Sequence, residues 1–245
     1  MRYLKSPRRA AVATVGGIIA ALMSCTQPLT IEDVLLKPTN FAATGATAFT
    51  ETVGTTLSSP GQVQVTDQYG DPMAGLNVQF SASGGTLTPT TTIQTNAQGI
   101  AAPASWTLPT TSGPATLSAT LPNSGLGNVV FNVTLNAGPA VSAVANAGNT
   151  QTAPAGTNVP TAPSVKVADE YGNGVPGVTV TFTVSAGGGT VNGATNTTTN
   201  VTTNSSGVAT ITSWRVGGSV GSNTLTAKGG GGAGPGVGHR DGDPV

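Results

Sequence analysis

One cysteine, one histidine and two tryptophans are almost all that this chain of 245 residues offers to the usual chemistry of sites. Charge is as sparse. Asp, Glu, Lys and Arg make up 7% of the sequence, against about a quarter in ordinary domains. From position 38 to 165 there is no lysine or arginine. A nucleic-acid binder needs a basic patch facing the phosphates, so nucleic acid is excluded as a partner. A single thiol forms no intrachain disulfide. His239, the lone histidine, lies in an irregular carboxy-terminal stretch and leaves nothing from which to build a triad, a His-based acid–base pair or a metal cluster. The carboxylates are too few and too scattered for a glycosidase pair. Glycine runs at 187–189 and 229–232 lack the Lys-Ser/Thr and the strand-to-helix setting of phosphate loops. No catalytic residue, metal ligand or cofactor is assigned, and the chain is read as a non-enzyme.

What is present favours β structure. Helix formers such as Glu, Lys and Gln are scarce, Val and Thr are frequent, and 35 glycines and 17 prolines supply turns. Net charge is small and apolar residues alternate with polar ones, which points to folded domains rather than disorder.

The amino terminus reads as an address. "MRYLKSPRRAAVATVGGIIAALMSC" puts four of the nine basic residues in its first nine positions, then an apolar run from Ala10 to Met23. That is the layout of a secretory signal, and the run is short of the ~20 residues that span a bilayer. It ends in Leu22-Met23-Ser24-Cys25, which resembles the bacterial lipoprotein lipobox. The resemblance implies cleavage before Cys25, lipidation of that thiol, and a membrane anchor; a plain signal peptide with an incidental cysteine is the other reading. Several acyl chains make such an anchor stable where one does not. Thr26 stands where inner-membrane lipoproteins often carry Asp, which leans towards an exported protein held at the outer membrane or cell surface. Once the signal is removed, five basic residues face nine acidic ones.

Behind a tether at 25–45, the sequence repeats. "VQVTDQYGDPMAGLNVQF" (63–80) matches "VKVADEYGNGVPGVTVTF" (165–182) at an offset of 102, with Asp67, Gly70, Gly75 and Phe80 against Asp169, Gly172, Gly177 and Phe182. "NAQGIAAPASW" (96–106) matches "NSSGVATITSW" (204–214) at an offset of 108, with Gly99 and Trp106 against Gly207 and Trp214. Six residues are therefore inserted between the two landmarks of the second copy, around "GGGTVNGATNTTTNVTTN". Each copy reads as about seven short strands with turn signals every 8–12 residues, the pattern of an Ig-like sandwich.

The pattern VxVxDxxGxPxxGxxVxF, followed by TNxxGxAxxxW and xxLxA, resembles the bacterial Ig-like group 1 domain of invasin and intimin. It runs through Val63, Val65, Asp67, Gly70, Pro72, Gly75, Val78, Phe80, Thr95, Asn96, Gly99, Ala101, Trp106, Leu117 and Ala119. In the second copy it runs through Val165, Val167, Asp169, Gly172, Gly177, Val180, Phe182, Thr203, Asn204, Gly207, Ala209, Trp214, Leu225 and Ala227. The resemblance implies rigid spacer domains, some of which bind partners: another envelope protein, a host-surface protein or a glycan. The outer-membrane barrel and lectin-like tip of invasin and intimin have no counterpart in this length.

The expected architecture is all-β: two tandem Ig-like β-sandwich domains, 46–137 and 138–229, behind a lipoprotein signal peptide at 1–24. Where the first copy has "VVFNVTL", the second runs into "GGGGAGPGVGHRDGDPV". That sequence predicts a glycine-rich irregular tail at 230–245 and a second domain that lacks its last strand. The tryptophans read as core residues, with exposed ligand-stacking rings as the alternative. Asp67 with Asp71, and Asp169 with Glu170, read as turn formers, with a sparse calcium site as the alternative. "TNTTTNVTTNSSG" reads as a solvated hairpin extension or loop.

Overall fold

A computed structural model describes residues 35–89 and 92–229, together with the backbone of 237–241. The signal segment and Cys25 lie outside the described residues. Among the described residues all regular structure is β-strand.

The first repeat contributes β1 (Pro38–Ala43), β2 (Ala48–Thr52), β3 (Thr56–Ser58), β4 (Val63–Asp67), β5 (Asn77–Ala82), β6 (Thr86–Thr88), β7 (Thr92–Gln94), β8 (Ile100–Ala101), β9 (Ser105–Thr107), β10 (Gly113–Thr120) and β11 (Val129–Asn136). The second contributes β12 (Ser142–Ala147), β13 (Ser164–Ala168), β14 (Thr179–Ala186), β15 (Thr190–Val191), β16 (Thr198–Thr202), β17 (Val208–Thr210), β18 (Trp214–Arg215), β19 (Asn223–Gly229) and β20 (Val237–Asp241). By proximity the chain forms two compact units. One holds the chain up to Ala48, Thr56–Thr107 and Thr116–Asn132; the other holds Phe49–Thr55, Leu108–Ala115 and Val133 onward.

The two repeats share most of one strand plan, β2 and β3 of the first having no counterpart strand among the described residues of the second. In the first, the sheets run β1-β4-β8, β3-β9-β6 and β2-β11-β10-β5-β7; in the second, β12-β13-β17, β15-β18 and β16-β14-β19-β20. Alternation explains the faces. Val63 and Val65 of β4 are buried between half-buried Gln64 and Thr66, and Val78 and Phe80 of β5 are buried between exposed neighbours. In the second repeat Val165, Val167, Val180, Phe182, Ile211, Trp214 and Leu225 pack into one apolar cluster.

Three expectations are corrected. The tether does not run to residue 45, because Pro38–Ala43 pairs antiparallel with β4, Phe41 opposite Val65. This edge strand is held by its main chain and one half-buried ring, so it lacks the alternation that marks a central strand. The second repeat does not lack a strand beside β19: Val237–Asp241 pairs with it, Ala227 opposite Val237 and Asn223 opposite Asp241. Backbone pairing requires no apolar pattern, and "VGHRD" carries none, so the hydrophobic pattern did not reveal it. His239 is part of this strand, opposite Leu225, rather than of an irregular tail. The polar stretch at 195–207 is partly regular as well, since Thr198–Thr202 pairs with β14.

The six extra residues are absorbed in two places. The strand opposite each tryptophan places Leu87 against Trp106 and Val191 against Trp214, an offset of 104. The next strand places Thr92 against Gln79 and Asn200 against Thr181, an offset of 108. Two residues thus enter the glycine turn before β15, and four enter the connection from β15 to β16.

Candidate functional site

The landmark residues form two polar knots and one aromatic plug per repeat. The first knot is the Asp turn. Asp67 is buried, and its Oδ1 accepts N–H bonds from Tyr69 and Asp71, both at 2.9 Å. Asp169 is buried in the same way and accepts from Tyr171 N–H and Asn173 N–H, both at 2.9 Å. Its second oxygen accepts from Gly138 N–H and from Nδ2 of Asn173, each at 2.9 Å. Burial raises the Asp169 carboxyl. The hydrogen bonds from the Asn173 side chain and from the Gly138, Asn173 and Tyr171 backbones outweigh it and hold the group below its ordinary value. Asn173 is itself clamped, donating to the Thr110 carbonyl at 2.8 Å and accepting from Ser112 N–H at 2.9 Å. These carboxylates carry turn amides. Among the described residues no three of His, Cys, Asp and Glu come together.

The second knot surrounds the paired glycines. Gly99 and Gly207 have φ of +71° and +75°, in the left-handed region that side chains resist. Each also sits against backbone: an added Cβ would stand 2.5 Å from the Val65 carbonyl oxygen in one copy and 2.5 Å from that of Val167 in the other. Asn96 and Asn204 cap these turns, their side-chain oxygens accepting from residues two and four further on. Thr95 and Thr203 are buried beside them. Thr95 Oγ1 donates to the Met73 carbonyl at 2.6 Å and accepts from Leu76 N–H at 3.0 Å. Thr203 repeats both bonds, to Val175 at 2.7 Å and from Val178 at 2.9 Å. Sequence reasoning placed these threonines in the pattern without assigning them work. The Thr-Asn pair standing before the turn glycine in both copies was the available signal.

The plugs are Trp106 and Trp214, each with no exposed surface. Trp106 lies between Leu57 and Leu87 on the neighbouring strands and donates its indole N–H to the Gly84 carbonyl at 3.0 Å. Burying ~150–250 Å² of ring at about 25 cal/mol per Å² amounts to roughly 4–6 kcal/mol of gross stabilisation per repeat. Phe80 and Phe182 are buried on the facing sheets. Among the described residues the exposed tyrosine rings are Tyr69 and Tyr171, at the tips of the Asp turns. A hydrogen bond to the Glu170 carboxylate, and its charge, raise the Tyr171 phenol above its ordinary value.

With strands in this order around buried tryptophans, the fold is an Ig-like β-sandwich, present twice. Among solved structures the chain is similar to Yersinia pseudotuberculosis InvD, with 20% identity and a TM-score of 0.51 over 82% of this chain and 56% of that one. It thus spans little more than half of the InvD chain. Looser likenesses are to the Y. pseudotuberculosis adhesin InvE (20% identity, TM-score 0.36, 84% and 58% of the two chains) and to the Escherichia coli adhesin FdeC (16%, 0.44, 84% and 65%). No protein-family model and no curated protein matches the sequence.

Proposed function

We propose that this chain is a non-catalytic, lipid-anchored cell-envelope protein whose two Ig-like repeats act as a spacer or adhesin-like module. One observation carries this reading. The landmark tryptophans and first turn aspartates are consumed by the fold: both tryptophans are fully buried, and Asp67 and Asp169 are engaged by turn amides. What remains outward on the strands is mostly Thr, Ser, Asn and Ala, as on β16 and β12. Such a surface suits a solvated support. The Ig-like fold shared with InvD supports the same reading. Each repeat is taken as one domain, the first beginning by Pro38, although Phe49–Thr55 and Leu108–Ala115 of the first repeat group with the second compact unit. Anchoring rests on the lipobox-like Leu22-Met23-Ser24-Cys25.

The test is labelled-palmitate incorporation with protease shaving of intact cells. The native chain takes up label and is shaved, and Cys25→Ser takes up none. A native chain that incorporates no palmitate and is wholly secreted overturns the anchor. A second reading, a binding module for a polysaccharide or a protein partner, is favoured by one depression on the first unit.

A further inference from the structure

The outer face of the first unit holds a depression of about 360 Å³, within the range of about 300–1,000 Å³ usual for small-molecule sites. Its polar wall is made of primary amides: Asn77 and Gln79 on β5, and Asn123 in the loop after β10. All three are exposed, and none of their side chains is hydrogen-bonded among the described residues. Thr92 stands directly opposite Gln79 across the strand pair. Leu76, Leu121 and Pro122 supply an apolar floor. No charged residue lines the depression.

The second repeat provides an internal comparison. Thr179 and Thr181 replace Asn77 and Gln79, and Thr181 Oγ1 donates to Asn200 Oδ1 at 2.8 Å. The amide and hydroxyl at the matching cross-strand position are therefore turned on each other in one copy and left outward in the other.

We infer that this depression on the first unit is a binding site for a neutral saccharide. A primary amide offers donors and an acceptor together, which match the hydroxyls of a sugar, each of which both donates and accepts. The apolar floor packs against the C–H face of a pyranose ring. Without a cation in the wall, an acidic sugar or phosphate loses its hydration and gains no counter-charge. Without a carboxylate, the same holds for a cationic ligand. The inference rests on the reading of the chain as a module presented to its surroundings, and not on its lipid anchor. It is tested on purified chain, so it fails or stands independently of palmitate labelling.

The experiment is a titration of the purified full chain, followed in ¹⁵N NMR spectra. The probes are neutral trisaccharides of glucose, galactose or mannose, a uronic-acid trisaccharide, and an extended Thr/Val-rich hexapeptide. At least one neutral trisaccharide at millimolar concentration shifts the side-chain amide signals of Asn77, Gln79 and Asn123. The double variant Asn77→Ala/Gln79→Ala binds it at least about tenfold more weakly with an unchanged melting curve, and Thr181→Ala binds as the parent does. The site is refuted if no neutral trisaccharide shifts these signals, or if the shifts fall elsewhere on the chain. Equal loss on Thr181→Ala, or preference for the uronate or the hexapeptide, refutes it too; hexapeptide preference would mark a strand-addition edge at β7 instead.

Discussion

Replacing Asp169 with asparagine strikes a carboxylate that four donors share. Tyr171 N–H and Asn173 N–H keep the oxygen they already use. The other oxygen, which accepts from Gly138 N–H and Asn173 Nδ2, becomes an NH₂ group facing two donors. Asn173 cannot turn away without giving up the Thr110 carbonyl and the Ser112 N–H. Two hydrogen bonds to a charged acceptor, at about 1.5–3 kcal/mol each, put the loss at roughly 3–6 kcal/mol. That is a large part of the ~5–15 kcal/mol that holds a domain together. At about 4–8 °C per kcal/mol, the melting transition falls by at least about 12 °C. The assay is intrinsic fluorescence in a Trp106→Phe background, in which Trp214 is the sole tryptophan. The same carboxylate sets a pH dependence. Its folded value lies below the ordinary one, which is about 3.9 in an unfolded chain. Its contribution is therefore complete above that value and is lost as pH falls through the lower, folded value. The Trp214 transition weakens on acidification below about pH 4 in the parent, and more shallowly in Asp169→Asn. A variant that melts within about 2 °C of the parent, with a parallel pH profile, would refute the reasoning.

Three further outcomes follow from the same geometry. Gly207→Ala and Gly99→Ala each drive a Cβ against a backbone carbonyl and destabilise by about 3 kcal/mol or more; Gly172→Ala and Gly70→Ala, with open space at the same sign of φ, lose only about 1 kcal/mol. Urea denaturation separates the two pairs. Thr203→Val keeps the shape but leaves Val178 N–H and the Val175 carbonyl without their side-chain partner, lowering stability by roughly 2–4 kcal/mol in the same measurement, whereas Thr203→Ser retains most of it. Trp106→Phe removes the bond to Gly84 and leaves a cavity, costing about 2–4 kcal/mol in urea denaturation of the full chain followed by circular dichroism.

The parts legible in the sequence were those with strong local signatures. The alternation of Val63, Val65, Val78 and Phe80 gave two central strands, and the repeated Asp-x-Tyr-Gly and Asn-x-x-Gly steps gave the turns between them. What escaped was held by longer-range or purely backbone interactions. Pro38–Ala43 and Val237–Asp241 are strands because a neighbouring edge accepts them, and nothing within either segment announces it. Thr95 and Thr203 bridge to backbone about twenty to thirty residues earlier in the chain, a distance over which no local pattern operates. The amide wall of Asn77, Gln79 and Asn123 was equally invisible, since Asn123 joins the other two only through the folding of the chain.

The split of the inserted residues, two in the turn before β15 and four between β15 and β16, has a practical consequence. Both copies keep their tryptophan fully buried although the chain leading to it differs in length. The connection at 193–197, beyond the half-buried Asn192 whose side chain is bonded to Thr199, Thr212 and Ser213, is thus a place where the scaffold accepts new sequence without renegotiating its interior. For display or library construction it is the natural graft point, and its mostly exposed threonines, alanine and asparagine are the letters to vary first.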